Sequence, residues 1–203
     1  MTAPRQGIIV VLFGPPGSGK GTHARTIAKA YDLDLISTGD MLRAEVAAGT
    51  ELGREAEPIM NAGALVPDDL MVRVIESRLR QAEGRAGALF DGFPRTLPQA
   101  EAFDRMLERT GRRVDLVVVL DVPEDELRER ILRRAAEEGR ADDTPETVRT
   151  RLGVYLSETA PALTHYQHKD INIQHVDGVG TVKEVSERIT RALATLASGG
   201  VRA

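Results

Sequence analysis

Five short runs of apolar, largely β-branched residues punctuate the chain: Ile8–Phe13, Leu33–Ile36, Ala88–Phe90, Val114–Leu120 and Ile171–Val176. As a set they lack polar alternation, the pattern of strands covered by helices on both faces. The stretches between them are helical in character. Three carry start signals: Thr96 followed by Gln99, Thr144 followed by Pro145, and Thr181 followed by Glu184. These predict helices from Leu97, Pro145 and Val182. Strands separated by helices predict an α/β fold built on a five-stranded parallel sheet flanked by helices.

Two places break the alternation. About 50 residues with three helical patterns separate the second and third strands, far more than the roughly 2–6 residues of an ordinary connection. Gly39–Ala62 therefore reads as an inserted lobe. At Ala135–Asp143 a charged helix, extended by Ala135 and Ala136, meets Gly139 and the pair Asp142 and Asp143 before a fresh helix begins, as a flap would.

Composition narrows the function. The 203 residues suit one α/β domain with excursions rather than two independent domains, and 41% apolar with 29% charged residues excludes a disordered or fibrous chain. No apolar run approaches the roughly 18 residues of a membrane span and no basic leader stands at the start. With no cysteine in the chain, the cytoplasm is the expected compartment and no disulfide or thiolate metal site is available. A net charge of -4, three tyrosines, four phenylalanines and no tryptophan argue against a nucleic-acid motor, which needs a basic track and stacking platforms. Of the 27 basic residues only Lys20, Lys29, Lys169 and Lys183 are lysines, leaving 23 arginines. Arginine's flat fork pairs two oxygens of a phosphate, so the position of each matters more than the total.

Directly after the first strand comes GPPGSGKGT, Gly14–Thr22, with a helical run from Lys20. That context makes it a phosphate loop: glycines let successive N–H groups converge on phosphate oxygens, the helix start adds positive potential, and Lys20 reaches the outer phosphates. A nucleoside triphosphate fits such a nest. Gly21 stands where a metal-binding serine or threonine usually follows the lysine, and Thr22 comes one position later.

GKGT in this loop, STGDMLR at Ser37–Arg43, GALVPDD at Gly63–Asp69, DGFPRT at Asp91–Thr96 and GRADDT at Gly139–Thr144 form an ordered set that resembles the adenylate kinase family in its short-lid form. The resemblance runs from Ile8 to about Leu196. It implies a P-loop nucleoside kinase fold with a core of residues 1–36, 67–132 and 144–203, an inserted lobe at 37–66 that binds the monophosphate, and a short lid at 133–143 without structural zinc. It implies a monomeric enzyme that moves the terminal phosphoryl of MgATP to AMP, giving two ADP.

By position, Gly17, Ser18, Gly19, Lys20, Gly21 and Thr22 match the ATP phosphate site. Arg130 and Arg134 match arginines beside the ATP base and phosphates, and Gly180 would touch the adenine edge. On the acceptor side Thr38, Arg43, Ala64, Leu65 and Val66 match AMP-binding positions, as do Gly92, Phe93, Pro94, Arg95 and Gln99. Arg140 and Arg151 would bridge both nucleotides, Asp91 would hold magnesium through water, and Lys20, Arg95, Arg134, Arg140 and Arg151 would carry catalysis.

The arginines also make sense without the resemblance, because phosphoryl transfer between polyanions needs positioned cations rather than an acid or base. The phosphate of a nucleoside monophosphate, with a second pKa of about 6, is already anionic. Bland alternatives stand beside several residues. Arg130 and Arg134 could pair with Glu126 and Glu138, Gln99 could close a capping box with Thr96, and Thr38 could cap the helix beginning near Gly39. Asp142 and Asp143 could serve as dipole partners of the next helix or orient nearby arginines. Arg43 and Arg95 sit at a loop or helix start beside glycine, lack an obvious acidic partner at i,i+4 in their motifs and read as ligand contacts. His165, His168 and His175 read as solvated surface residues rather than a metal site. A UMP/CMP kinase on the same scaffold, where Thr38 leans toward adenine, and a nucleotide-dependent binding switch are the competing functions.

Overall fold

The computed structural model describes residues 7–81, 87–138, 144–169 and 171–198. Among these, five strands form one parallel sheet: β1 (Ile8–Phe13), β2 (Leu33–Ser37), β3 (Gly87–Asp91), β4 (Leu116–Asp121) and β5 (Asn172–Asp177), in the order β2-β3-β1-β4-β5. The expected five runs each yield a strand. β4 starts later than its apolar run because Asp115 intervenes; its carboxylate accepts the Ile9 N–H at 2.8 Å while its own N–H donates to the Ile9 carbonyl at 2.9 Å. β5 departs from the expectation of burial on both faces: it lies at the sheet edge and only Val176 is buried.

β1 lies between β3 and β4, so the strand order turns about it and a crevice opens at the carboxyl ends of the strands. Its five residues Ile9–Phe13 are buried, alternate side chains serving opposite faces. Val10 and Leu12 pack against α1 (Lys20–Ala30) and α9 (Val182–Ser198) through Ala24, Ile27, Val185 and Ile189. Ile9, Val11 and Phe13 share the other core with α4 (Asp68–Gln81), α5 (Leu97–Glu108) and α8 (Ala160–Gln167). Phe103 anchors that side, its ring centroid 4.7 Å from Phe90 and 5.3 Å from Phe93, each buried aromatic contributing roughly 2–3 kcal/mol.

The helix starts form as the sequence signals require. Thr96 caps α5 by accepting the Gln99 N–H at 3.2 Å, and Thr144 caps α7 (Pro145–Val154) through the Thr147 N–H at 3.2 Å. Thr181 and Glu184 cap α9 reciprocally at 2.8 and 3.3 Å. α2 (Thr38–Ala48) corrects one reading: its cap is Ser37, which accepts from the Asp40 N–H, and Thr38 is the first helical residue. α2 packs on α3 (Glu51–Asn61), where Gly53 lies against the Glu45 carbonyl with no room for a side chain. α6 (Glu124–Glu138) includes Ala135 and Ala136, and a π-helical turn, Tyr155–Thr159, joins α7 to α8.

Candidate active site

The phosphate loop leaves β1 at Gly14 and enters α1 at Lys20. Gly17 has φ 84°, and a side chain there would begin 2.8 Å from the Leu127 carbonyl and from Ile131 of α6, so only glycine lets the loop seat against that helix. The Ser18 N–H donates to the Pro15 carbonyl at 3.1 Å, and the buried Ser18 hydroxyl lies 3.4 Å from Lys20 Nζ. Lys20 also donates to the Gly14 carbonyl at 2.6 Å and to that of Pro15 at 3.0 Å. Carbonyls carry only partial charge, and burial pushes the Lys20 pKa down from 10.5 to about 8; Asp91 opposes the shift, while Arg95, Arg151 and Arg134 add to it.

Gly92 is the second fixed point. Its carbonyl accepts Thr38 Oγ1 at 2.8 Å and Arg95 Nε at 2.7 Å. A side chain at Gly92, with φ 79°, would begin 2.6 Å from Arg95 and 2.8 Å from Thr38. Thr38 therefore ties α2 to the end of β3 rather than capping its helix. Burial lowers the Arg95 pKa to about 10, with Arg151 and Arg43 adding to the effect and Asp91 opposing it. Gln99 reaches back, but to the Arg95 N–H at 2.8 Å, one residue before the cap. Its amide nitrogen and the Thr96 hydroxyl both donate to Asp68, at 2.7 and 3.0 Å.

Two clefts meet over this floor. One holds a cavity of about 130 Å³; of the expected acceptor residues Thr38, Arg43, Ala64, Leu65, Val66, Gly92, Pro94, Arg95, Gln99 and Arg151 line it. The other, about 280 Å³, is walled by the loop residues Gly17, Gly19, Lys20, Gly21 and Thr22 together with Asp91, Arg130, Arg134 and Arg151. Lys20, Arg43, Arg95 and Arg151 belong to both. Phe93 is not in either wall: its ring is in the core, 1% exposed. The Ser18 side chain is likewise interior, and Gly180 stands apart in the β5–α9 loop. Arg140, Asp142 and Asp143 lie outside the described residues.

Other readings change. Arg43 does have an acidic partner, Asp40 at 2.7 Å, three residues before it rather than four after. Asp40 also pairs with Arg25 at 3.4 Å, and Arg25 joins the second cleft. Arg130 keeps its Glu126 pair at 2.7 Å and still faces that cleft, so the two alternatives hold together. His165 is not a solvated residue: 15% exposed, it meets Asp104 at 2.7 Å, and Lys169 meets the same carboxylate at 2.6 Å. His175 is exposed and pairs with Asp121 at 2.9 Å. Among the described residues no group of three or more His, Cys, Asp or Glu is placed to hold a metal, and no helix is long and apolar enough to cross a membrane. Sequence reading missed Leu42, Met60, Met71, Tyr155 and Thr159, which line the smaller cleft. Alternation of apolar residues marks a core but does not say which core residues border a cavity.

The sequence profile of adenylate kinase matches residues 12–171. The adenylate kinase of Stenotrophomonas maltophilia strain K279a is 50% identical over 184 residues, 91% of this chain and 98% of its own length. That of Bacteroides fragilis strain YCH46 is 46% identical over 187 residues, covering 92% and 98%. That of Caulobacter vibrioides is 46% identical over 190 residues, covering 94% and 99%. These matches favour neither a pyrimidine monophosphate kinase nor a binding switch. Identity of this degree over nearly the whole length makes the chain a member of the adenylate kinase family, phosphotransferases that act on nucleoside monophosphates.

Proposed function

We propose that this adenylate kinase places MgATP along the Gly17–Thr22 loop in the larger cleft and AMP in the cleft lined by Thr38, Ala64–Val66, Gly92 and Gln99. Its reaction is the reversible transfer of the terminal phosphoryl group of MgATP to AMP, giving two ADP. The observation that carries the assignment is the common wall: Lys20, Arg43, Arg95 and Arg151 border both clefts. A group passing from one cleft to the other stays within reach of the same cations, which is what a migrating phosphoryl needs.

Each residue then has a task. The loop N–H groups and Lys20 hold the donor phosphates, with Arg134 beside them and Arg130 against the base. Arg43 and Arg95 hold the acceptor phosphate, whose anionic oxygen attacks in line, and Arg151 with Arg140 spans both nucleotides. Asp91 suits magnesium: Gly21 has no side chain, and one there would begin 3.3 Å from Asp91 Oδ2, so space is kept before a carboxylate that Ser37 Oγ also approaches at 3.4 Å. Magnesium takes one or two carboxylates and completes its shell with water and phosphate, so Asp91 would hold it through water. Bound there, the ion neutralises charge on the phosphate oxygens. The lobe at 37–66 and the lid at 133–143 close when both nucleotides are present, excluding water as an acceptor. The enzyme works as a monomer in the cytoplasm, with no structural zinc and no nucleic-acid or membrane partner.

A coupled assay with MgATP and each of AMP, UMP, CMP and GMP tests the reading, repeated on Arg95→Lys, which keeps the charge and loses the fork. AMP is the preferred acceptor, and Arg95→Lys loses about 10²-fold in kcat. A pyrimidine acceptor that outruns AMP overturns the substrate assignment, and wild-type turnover in Arg95→Lys overturns the role of that side chain.

A further inference from the structure

Three consecutive carbonyls, from Asp177 at the end of β5 to Val179 in the β5–α9 loop, are held by two arginines. Arg188, two turns into α9, donates to the Asp177 carbonyl at 2.9 Å and to the Val179 carbonyl at 2.6 Å, and pairs with the Asp177 carboxylate at 3.3 Å. Arg130, from α6, donates to the carbonyl between them, Gly178, at 3.0 Å. The N–H groups are fixed as well: Gly178 to the Asp121 carbonyl at 2.8 Å, Val179 to Asp177 Oδ1 at 2.9 Å and Thr181 to Glu184 at 2.8 Å. Gly180 follows, with φ 124°, a backbone state that would let its peptide turn over if its neighbours were loose.

We propose that Arg188 is a positioning residue that sets donor-base discrimination by fixing the orientation of the peptide at Gly180. The inference rests on the reading that the ATP base lies against Gly180. Adenine offers an amino donor where guanine offers a carbonyl acceptor. A backbone edge held one way round pairs with the first and faces the second with like groups opposed, leaving both unpaired. An edge free to rotate serves either base. One nitrogen, Nη1, meets both carbonyls and the Asp177 carboxylate, so it is a donor at the end of a long stem, rather than a two-nitrogen fork, that holds the loop.

The test compares kcat and KM for ATP and GTP in the whole enzyme, wild type against Arg188→Ala and Arg188→Met, with Arg130→Ala alongside. Arg188→Ala raises the ATP KM about threefold to tenfold and lowers the ATP/GTP ratio of kcat/KM about tenfold or more. Its kcat and AMP KM stay at wild-type values, and Arg188→Met, which keeps the apolar stem and loses every donor, behaves like the alanine variant. An unchanged ATP/GTP ratio in Arg188→Ala overturns the proposal. If the alanine variant does not fold, a wild-type ratio in Arg188→Met overturns it. Arg130→Ala tells the two readings apart. A raised ATP KM there with an unchanged ratio at Arg188 rejects the inference alone, whereas an effect on the AMP KM only rejects the placement of the base.

Discussion

Two sets of cations face the same clefts and are held in opposite ways. At the junction Lys20 and Arg95 are half-buried and lie against main-chain oxygens of Gly14, Pro15 and Gly92. On the rim of the inserted lobe Arg25 and Arg43 are 57% and 34% exposed and share the Asp40 carboxylate. Loss of solvent and the neighbouring arginines lower the pKa values of both Lys20 and Arg95, and Asp91 does not cancel the effect. A carbonyl orients a cation without neutralising it, so the junction keeps positive potential for an incoming polyanion. A rim arginine already paired with a carboxylate in solvent has little to gain when a phosphate replaces that partner. The interior pair should therefore dominate catalysis, and the rim pair should tune acceptor binding.

The strongest challenge to this contrast is Lys20→Met, which keeps the length of the side chain and removes its charge. Turnover should fall about 10³-fold, read in the coupled assay at saturating nucleotides. A loss under tenfold would put the junction lysine in the same class as the rim residues. Next in size is a pH effect. With its pKa at about 8, Lys20 in the free enzyme loses its proton at a pH where an exposed lysine keeps it. The kcat/KM for ATP should drop about tenfold between pH 7 and 9, and Lys20→Arg should lack that limb. Stability carries the matching sign. Between about 8 and 10.5 the unfolded chain holds the Lys20 proton and the native chain releases it, so stability rises with pH across that window. Wild type should gain on Lys20→Met there in denaturant melts, and a gain that appears below pH 8 instead would contradict the assignment.

What could be read without coordinates follows the same division between local and distant causes. The strand β1 and its loop were legible because a strand buried on both faces is a continuous apolar run and a phosphate nest is a backbone shape that glycines dictate in order. The capping at Thr96, Thr144 and Thr181 was legible because each bond spans three residues. The exchange of roles between Ser37 and Thr38 was not, since Thr38 is claimed by Gly92, 54 residues away. His165 was misread for the same reason: the Asp104 that draws it inward is 61 residues distant. The clamp of Arg188 on carbonyls has no counterpart in side-chain pattern at all. Arg43 shows a different limit: Asp40 lies close in sequence, but at a spacing of three, which a helix also brings together, rather than the four of the usual ion pair.

The smallest effect separates the rim from the junction most cleanly. Asp40 gives Oδ1 to Arg43 at 2.7 Å and Oδ2 to Arg25 at 3.4 Å. On the proposed placement of AMP, Arg25 stays beside the carboxylate as the acceptor phosphate takes over Arg43, which should ease the exchange. Arg25→Ala leaves Asp40 leaning more heavily on Arg43, so the AMP KM should rise about twofold to threefold with kcat unchanged. Because all three side chains are at least one-third exposed, the increase should shrink toward nothing at about 0.5 M salt, where screening acts within a few ångströms. The effect of Lys20→Met, exerted where main-chain carbonyls enclose the ammonium, should survive the same salt. A rise in KM that persists at high salt would mean that Arg25 acts through packing of α1 on the inserted lobe rather than through its charge, and the contrast between paired rim and open interior would lose its electrostatic basis.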